Sequence, residues 1–213
     1  ELHHKVLNNG ASLFLFKRKG MPIYLRAVFF AGSRFDTIPG TAHFLEHMLS
    51  AGTKKFPSMY LIADYIQKIG GEFGASTEPN LLRLNVEIPL KEDLSTGVEV
   101  MKECLTESLF DLKTIETERG AILSELKSKK SNPREYIWDV SRRLSMQGTS
   151  VENSNLGSED NIKTINKDEL THFFKKYIHA GRATFIASGD VEMSDLADQL
   201  NTIELSQGDK FEI

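Results

Sequence analysis

Hydrophobic and polar positions change period several times along the chain. Over 82–88, Leu82, Leu84, Val86 and Ile88 alternate with Arg83, Asn85 and Glu87, the two-residue period of a strand with one face in a core and one in water. Apolar runs over 5–18 and 22–34, separated by Lys19-Gly20-Met21, predict two further strands with a turn between them. Strands are also expected at 72–77 and 182–188, the latter followed by a Gly189-Asp190 turn. Helical spacing appears over 40–51, with Thr41 as a capping residue and Gly52 beyond the end, and over 58–69, started by Ser58 and stopped by Gly70-Gly71. Leu94, Val98, Met101, Leu105 and Leu109 mark a long amphipathic helix over 90–109. Further helices are expected over 114–130, from the Asn132-Pro133 break to 146, over 167–178 and over 194–203, with a Gly-, Ser- and Asn-rich loop at 147–161. Strands in adjacent pairs followed by packed helices imply an α+β fold, a largely antiparallel sheet packed against helices.

Composition narrows the class. With 213 residues, 40% of them hydrophobic and 26% charged, the chain can bury a core as one domain without disulfides. A net charge of -4 offers no basic field for a phosphate backbone, so nucleic acid is not an expected partner. The longest apolar stretches, near 11–16 and 22–32, fall well short of the roughly 20 residues that span a bilayer, and no membrane span is expected. Cys104 is the single cysteine and lies beside the apolar stripe of 90–109, which predicts a packed thiol. One cysteine suits a reducing compartment and tips the expectation slightly toward the cytoplasm, although a leader ahead of Glu1 could have been removed.

The chemistry concentrates on the helix over 40–51. His43 and His47 are four residues apart, so both imidazoles leave one face and can reach a single ion, and Glu46 lies beside them. His43-Phe44-Leu45-Glu46-His47 inverts the commoner His-Glu-x-x-His zinc motif and places two ligands and a base on one turn. A catalytic zinc usually takes a third protein ligand, and Glu118 and Glu125 are both candidates on the stripe that carries Ile115 and Ile122. Carboxylates on a core-facing stripe need a cation or other partner. The plain alternative is two satisfied core histidines and two surface acids in ion pairs. His3, His4, His172 and His179 are expected to be solvated or capping residues, and Lys127, Lys129 and Lys130 a solvated face at a helix C-terminus.

The block Gly40-Thr-Ala-His43-Phe-Leu-Glu46-His47-Met-Leu, followed by Gly52-Thr53, resembles the M16 metallopeptidases. The resemblance extends through Leu7-Asn8-Asn9-Gly10, Gly32-Ser33-Arg34, Gly70-Gly71, the run from Glu118-Arg119-Gly120 to Ser124-Glu125, and Gly189-Asp190. It implies a zinc-bearing N-terminal domain over 1–213, of the fold shared by the mitochondrial processing peptidases and related metallohydrolases. By resemblance, His43, His47 and Glu125 hold one Zn2+ per chain, Glu46 is the general base, and Glu118 supports the site. Gly74, Ala75, Ser76 and Thr77 correspond to the strand that pairs with a peptide or small-protein substrate. Two departures stand out: Gly74 replaces an Asn usual in that strand, and the Arg-Tyr pair that the family draws from its second half is missing. The resemblance therefore implies a second M16 domain or subunit that completes the site. Non-catalytic paralogues of the same fold, which assemble or hold substrate, are the rival reading.

Overall fold

The computed structural model describes residues 1–211, and its centre is a six-stranded sheet. The strands are β1 (Leu2–Val6), β2 (Ser12–Lys17), β3 (Ile23–Phe29), β4 (Glu72–Thr77), β5 (Leu82–Ile88) and β6 (Ala183–Gly189), in the order β1-β2-β6-β3-β5-β4. Every neighbouring pair is antiparallel except β2 and β6, so the fold is α+β with a largely antiparallel sheet. Leu13 and Leu15 of β2, Ile23, Leu25 and Ala27 of β3, Leu82 to Ile88 at alternate positions of β5, and Phe185 and Ala187 of β6 are buried. Phe16, Tyr24 and Ile186, on the intervening positions, are exposed. One sheet face carries the core.

The α-helices among the described residues are α1 (Thr41–Ala51), α2 (Met59–Gln67), α3 (Leu94–Thr106), α4 (Leu112–Ser131), α5 (Pro133–Ser145), α6 (Glu159–Thr164), α7 (Lys167–Tyr177) and α8 (Met193–Leu200). α1 is the innermost for its length: Ala42, Phe44, Leu45, Met48 and Leu49 are all buried. Burial of side chains such as Phe44 and Leu45 contributes about 2 kcal/mol each, which anchors the helix that carries the histidines. α4 turns Ile115, Ile122 and Leu126 inward against it, and Asp111 caps its start by accepting from Thr114 N (3.0 Å). Arg119 of α4 lies over the Phe44 ring at 5.3 Å, a second tie between the two helices.

Three sequence expectations are corrected, the extents of the runs over 5–18 and 22–34 and of the loop at 147–161. The run over 5–18 is a hairpin, because Leu7 to Ala11 turns back on itself: Gly10 takes φ 91°, Gly10 N donates to Leu7 O (2.9 Å) and Leu7 N to Ala11 O (2.9 Å). β2 and β3 flank β6 and do not pair with each other; their connection is clipped to the end of β6 by Arg18 N to Gly189 O (2.8 Å) and Asp190 N to Met21 O (3.0 Å). The strand over 22–34 stops at Phe29, and Ser33–Phe35 forms a 3-10 turn. The loop at 147–161 ends in α6, whose start is a reciprocal capping box between Ser158 and Asn161. The Ser58 cap stands, its hydroxyl accepting from Leu61 N at 3.4 Å.

Candidate metal centre

α1 begins in a way the sequence pattern did not disclose. Thr41 does not cap it; its hydroxyl donates to Ile38 O (2.7 Å). The capping group is the Asp36 carboxylate, which accepts from Gly40 N and Ala42 N, both at 2.8 Å. Gly40 takes φ 101°, a left-handed conformation that a glycine adopts without strain. Burial pushes the Asp36 carboxyl up to about 7 against the lowering effect of those amide bonds. A partly buried acid that caps from five residues before the first helical residue lies outside the usual neighbouring-residue signature, so only the folded turn reveals it.

One turn further, His43 and His47 stand with ring centroids 4.8 Å apart, and Glu125 of α4 meets both. Glu125 Oε2 is 3.7 Å from His43 Nε2 and 3.7 Å from His47 Nε2. One atom from each of the three residues falls within 4.8 Å of the other two, a grouping that could hold a metal ion. Glu118, on the same face of α4, takes the other nitrogen of His47: Nδ1 to Oε2 is 2.9 Å. That bond fixes the ring and leaves Nε2 directed toward Glu125.

The burial argument holds for only one of the two acids. The Glu118 side chain is 12% exposed, but that of Glu125 is 47% exposed, because it projects from α4 beside an open face of the site. Burial, with His47 beside it, depresses His43 to about 4. For His47 burial works against the cation, yet the bond to Glu118 and the Glu125 carboxylate 3.7 Å away outweigh it and raise the group to about 9. Glu125 is lowered by His47 beside it, whereas burial raises Glu46, opposed by Thr77 and His47. Two carboxylates beside the same imidazoles are therefore held apart in acidity.

Glu46 and His47 open onto a cleft of about 400 Å³ whose walls include Met59, Ile62 and Ile66 of α2 and Phe73, Gly74 and Ala75 of β4. Gly74 and Ala75 belong to the strand that the family resemblance marked for substrate, whereas Met59, Ile62, Ile66 and Phe73 were not singled out from the sequence. β4 is an edge strand, so one side of Gly74, Ala75, Ser76 and Thr77 has no strand partner among the described residues. The Thr77 hydroxyl is buried and favours the Glu46 anion, and it makes no well-formed hydrogen bond among the described residues.

The side chains set aside from the sequence divide. His172 is exposed and His4 stacks on Phe14 at 4.5 Å, but His179 is 7% exposed, a buried ring and not a solvated one. Lys129 is not part of a solvated face either: it pairs with Asp139 of α5 at 3.1 Å with its side chain 19% exposed. Cys104 is fully buried, its thiol pushed up to about 12 by burial, as a packed thiol should be.

Two imidazole nitrogens and a carboxylate oxygen, with one ring fixed by a further acid and one side open, fit zinc of the catalytic type by donor chemistry. Among the described residues, no helix is long and apolar enough to cross a membrane.

A family model described as Insulinase (Peptidase family M16) matches residues 24–159. The mitochondrial-processing peptidase subunit beta of Dictyostelium discoideum is 30% identical over 186 residues, which cover 84% of this chain and 39% of that protein. The crystal structure of a protease from Helicobacter pylori matches 100% of this chain and 52% of its own, with a TM-score of 0.91 at 19% identity. A peptidase M16 inactive domain from Pseudomonas fluorescens matches 100% of this chain and 53% of its own, with a TM-score of 0.89 at 19% identity. These two likenesses concern the fold alone. The family match takes in His43, Glu46, His47, Glu118 and Glu125 together, and the chain belongs to the M16 peptidase family.

Proposed function

We propose that this chain is the N-terminal, metal-bearing domain of a zinc endopeptidase, with His43, His47 and Glu125 as ligands and Glu46 as general base. The observation that carries the reading is the convergence of those three donors from two helices within 4.8 Å, with Glu46 on the same turn as both histidines. Zinc bound there supplies a Lewis acid for a scissile carbonyl and brings the acidity of water toward neutrality. Glu46 takes the proton from the attacking water on its carboxylate and returns it to the leaving amine, and burial, by raising its pKa, makes the carboxylate a stronger base than a solvated one. Glu118 holds the His47 ring through Nδ1 and touches no substrate in this reading. A peptide or small protein adds as a further strand along Gly74 to Thr77, and the cleft walled by Ile62, Ile66 and Phe73 admits one of its apolar side chains.

A second M16 domain or subunit completes the site. The chain spans 39% of the Dictyostelium relative and 34% of the bovine mitochondrial-processing peptidase subunit beta, and it has no Arg-Tyr pair of its own. Those relatives are named mitochondrial, and a mitochondrial address accords with a lone buried thiol as well as the cytoplasmic one does. The rival is a non-catalytic member of the fold, for which the inactive domain of the Pseudomonas neighbour is the precedent. Against it stands the retention here of both histidines and all three acids.

The experiment is a pair of substitutions in the complete protein. Glu46→Gln is expected to keep zinc and fold and lose peptide hydrolysis, because the amide preserves shape without basicity. Glu125→Gln is expected to weaken zinc binding itself. If Glu46→Gln released the metal, and Glu125→Gln kept it while losing hydrolysis, the two roles would be the wrong way round.

A further inference from the structure

Residues 153–157 form a segment that the proposed chemistry leaves unused, yet it touches the elements that present the reactive groups. Arg142 of α5 donates to Asn153 O (3.3 Å), and Lys129, one turn beyond Glu125 on α4, donates to Ser154 Oγ (3.3 Å). Leu156 is buried. Gly157, at φ 69°, passes so close to the start of α1 that a Cβ there would lie 2.2 Å from Pro39 O. The segment therefore braces α4, α5 and the entry to α1 together.

Its central residue reaches furthest. Asn155 Nδ2 donates to Thr77 O (3.1 Å) at the end of β4, and Asn155 Oδ1 accepts from Ser33 Oγ (2.8 Å). Ser33 is itself fixed, because its N–H donates to Glu78 O (3.1 Å) and a Cβ on Gly32 would lie 2.2 Å from that same oxygen. The far end of the bridge is thus rigid. Thr77 closes the edge strand, with its own buried hydroxyl beside the proposed base.

We propose that Asn155 is a positioning residue for catalysis: by tying the end of β4 to the Ser33 turn, it sets where a peptide paired to β4 lies relative to the Glu46 carboxylate. The inference rests on the reading of β4 as the substrate edge. Neither bond of Asn155 involves His43, His47 or Glu125, so its loss leaves the metal ligands in place. The main-chain pairing that gives affinity also remains, whereas turnover depends on the alignment of reacting atoms, to which small displacements matter far more.

The test compares the complete wild-type protein with Asn155→Ala and Asn155→Asp. It follows zinc content, amide hydrogen exchange over 72–77, and kcat and KM on a peptide substrate. Aspartate is nearly isosteric and keeps the acceptor for Ser33 but has no N–H for Thr77 O. Both variants are expected to retain zinc, to exchange faster in β4, and to lose about tenfold in kcat with KM changed by less than about twofold, the scale of one hydrogen bond of ordinary net strength. Unchanged β4 exchange and unchanged kcat in Asn155→Ala would overturn the proposal. So would wild-type kcat in Asn155→Asp, which would trace the effect to packing and not to the bond. A wild-type protein that hydrolyses no peptide, while β4 loosens in both variants, would leave a structural brace and bring down the catalytic role together with the peptidase reading.

Discussion

Glu118 and Glu125 sit two turns apart on α4, and the structure assigns them opposite relations to water. Glu118 is nearly enclosed and bonded to His47 Nδ1, while Glu125 is half exposed and shared between the two imidazole Nε2 atoms. Replacement of Glu118 by Gln keeps an acceptor for the ring N–H but removes the charge behind it. The expected result is a loss of about 10- to 100-fold in zinc affinity, measured by competition with a chelator of known strength, with the fold intact. Unaltered affinity would mean that the Glu118 bond to His47 is incidental. The histidine pair was legible in the sequence because a spacing of four on a helix dictates a shared face, whatever surrounds it. The half exposure of Glu125 was not, because residues on one helix stripe can differ widely in the depth of the neighbours packed over them. Asn155 was equally out of reach: its partners lie 122 and 78 residues away, and nothing in a loop composition marks such a bridge.

At the scale of elements, α1 depends on a cap that titrates. Asp36 has its folded pKa raised to about 7 from an ordinary value of 3.8, with Glu169 adding to the effect of burial. The folded state therefore holds the proton more tightly than the unfolded state. The resulting contribution to stability is fully present below the unfolded value and is lost as pH rises through about 7. The difference in unfolding free energy between the metal-free wild type and Asp36→Asn should shift against the wild type from pH 5 to pH 8, a window of roughly three pH units around the folded pKa. A difference that does not vary with pH would show that Asp36 stays ionised throughout. Helices read well from sequence where a cap adjoins the stripe, as at Ser58 in α2. Strand pairing read less well: β2 and β3 follow each other with a short turn, yet β6, from the far end of the chain, intervenes between them. Alternation reports which face of a strand is buried, not which strand lies beside it.

For the whole molecule, the open side of the site is the governing feature. The proposed ion, Glu46 and the β4 edge supply a nucleophile and a binding edge, but charge that develops on the carbonyl oxygen needs further donors, each worth about a hundredfold or more in rate. The 213-residue chain alone is accordingly expected to hydrolyse a quenched fluorescent peptide poorly or not at all, and to gain activity when the remaining domain or partner subunit is added. Equal turnover in both assays would show that the site is self-sufficient. Zinc should also act as a stabilising ligand of the fold, since its donors come from α1 and α4 together and are not assembled in the unfolded chain. At free zinc of about 1,000 times the dissociation constant, the unfolding free energy should rise by about 4 kcal/mol, and that increment should vanish on chelation.

Metal content tests the central claim most directly. Protein purified without chelator should carry about one zinc per folded chain, and the His43→Ala, His47→Ala double variant should carry none above background. Stoichiometric zinc retained by the double variant would contradict the assignment of the site to these two histidines and Glu125.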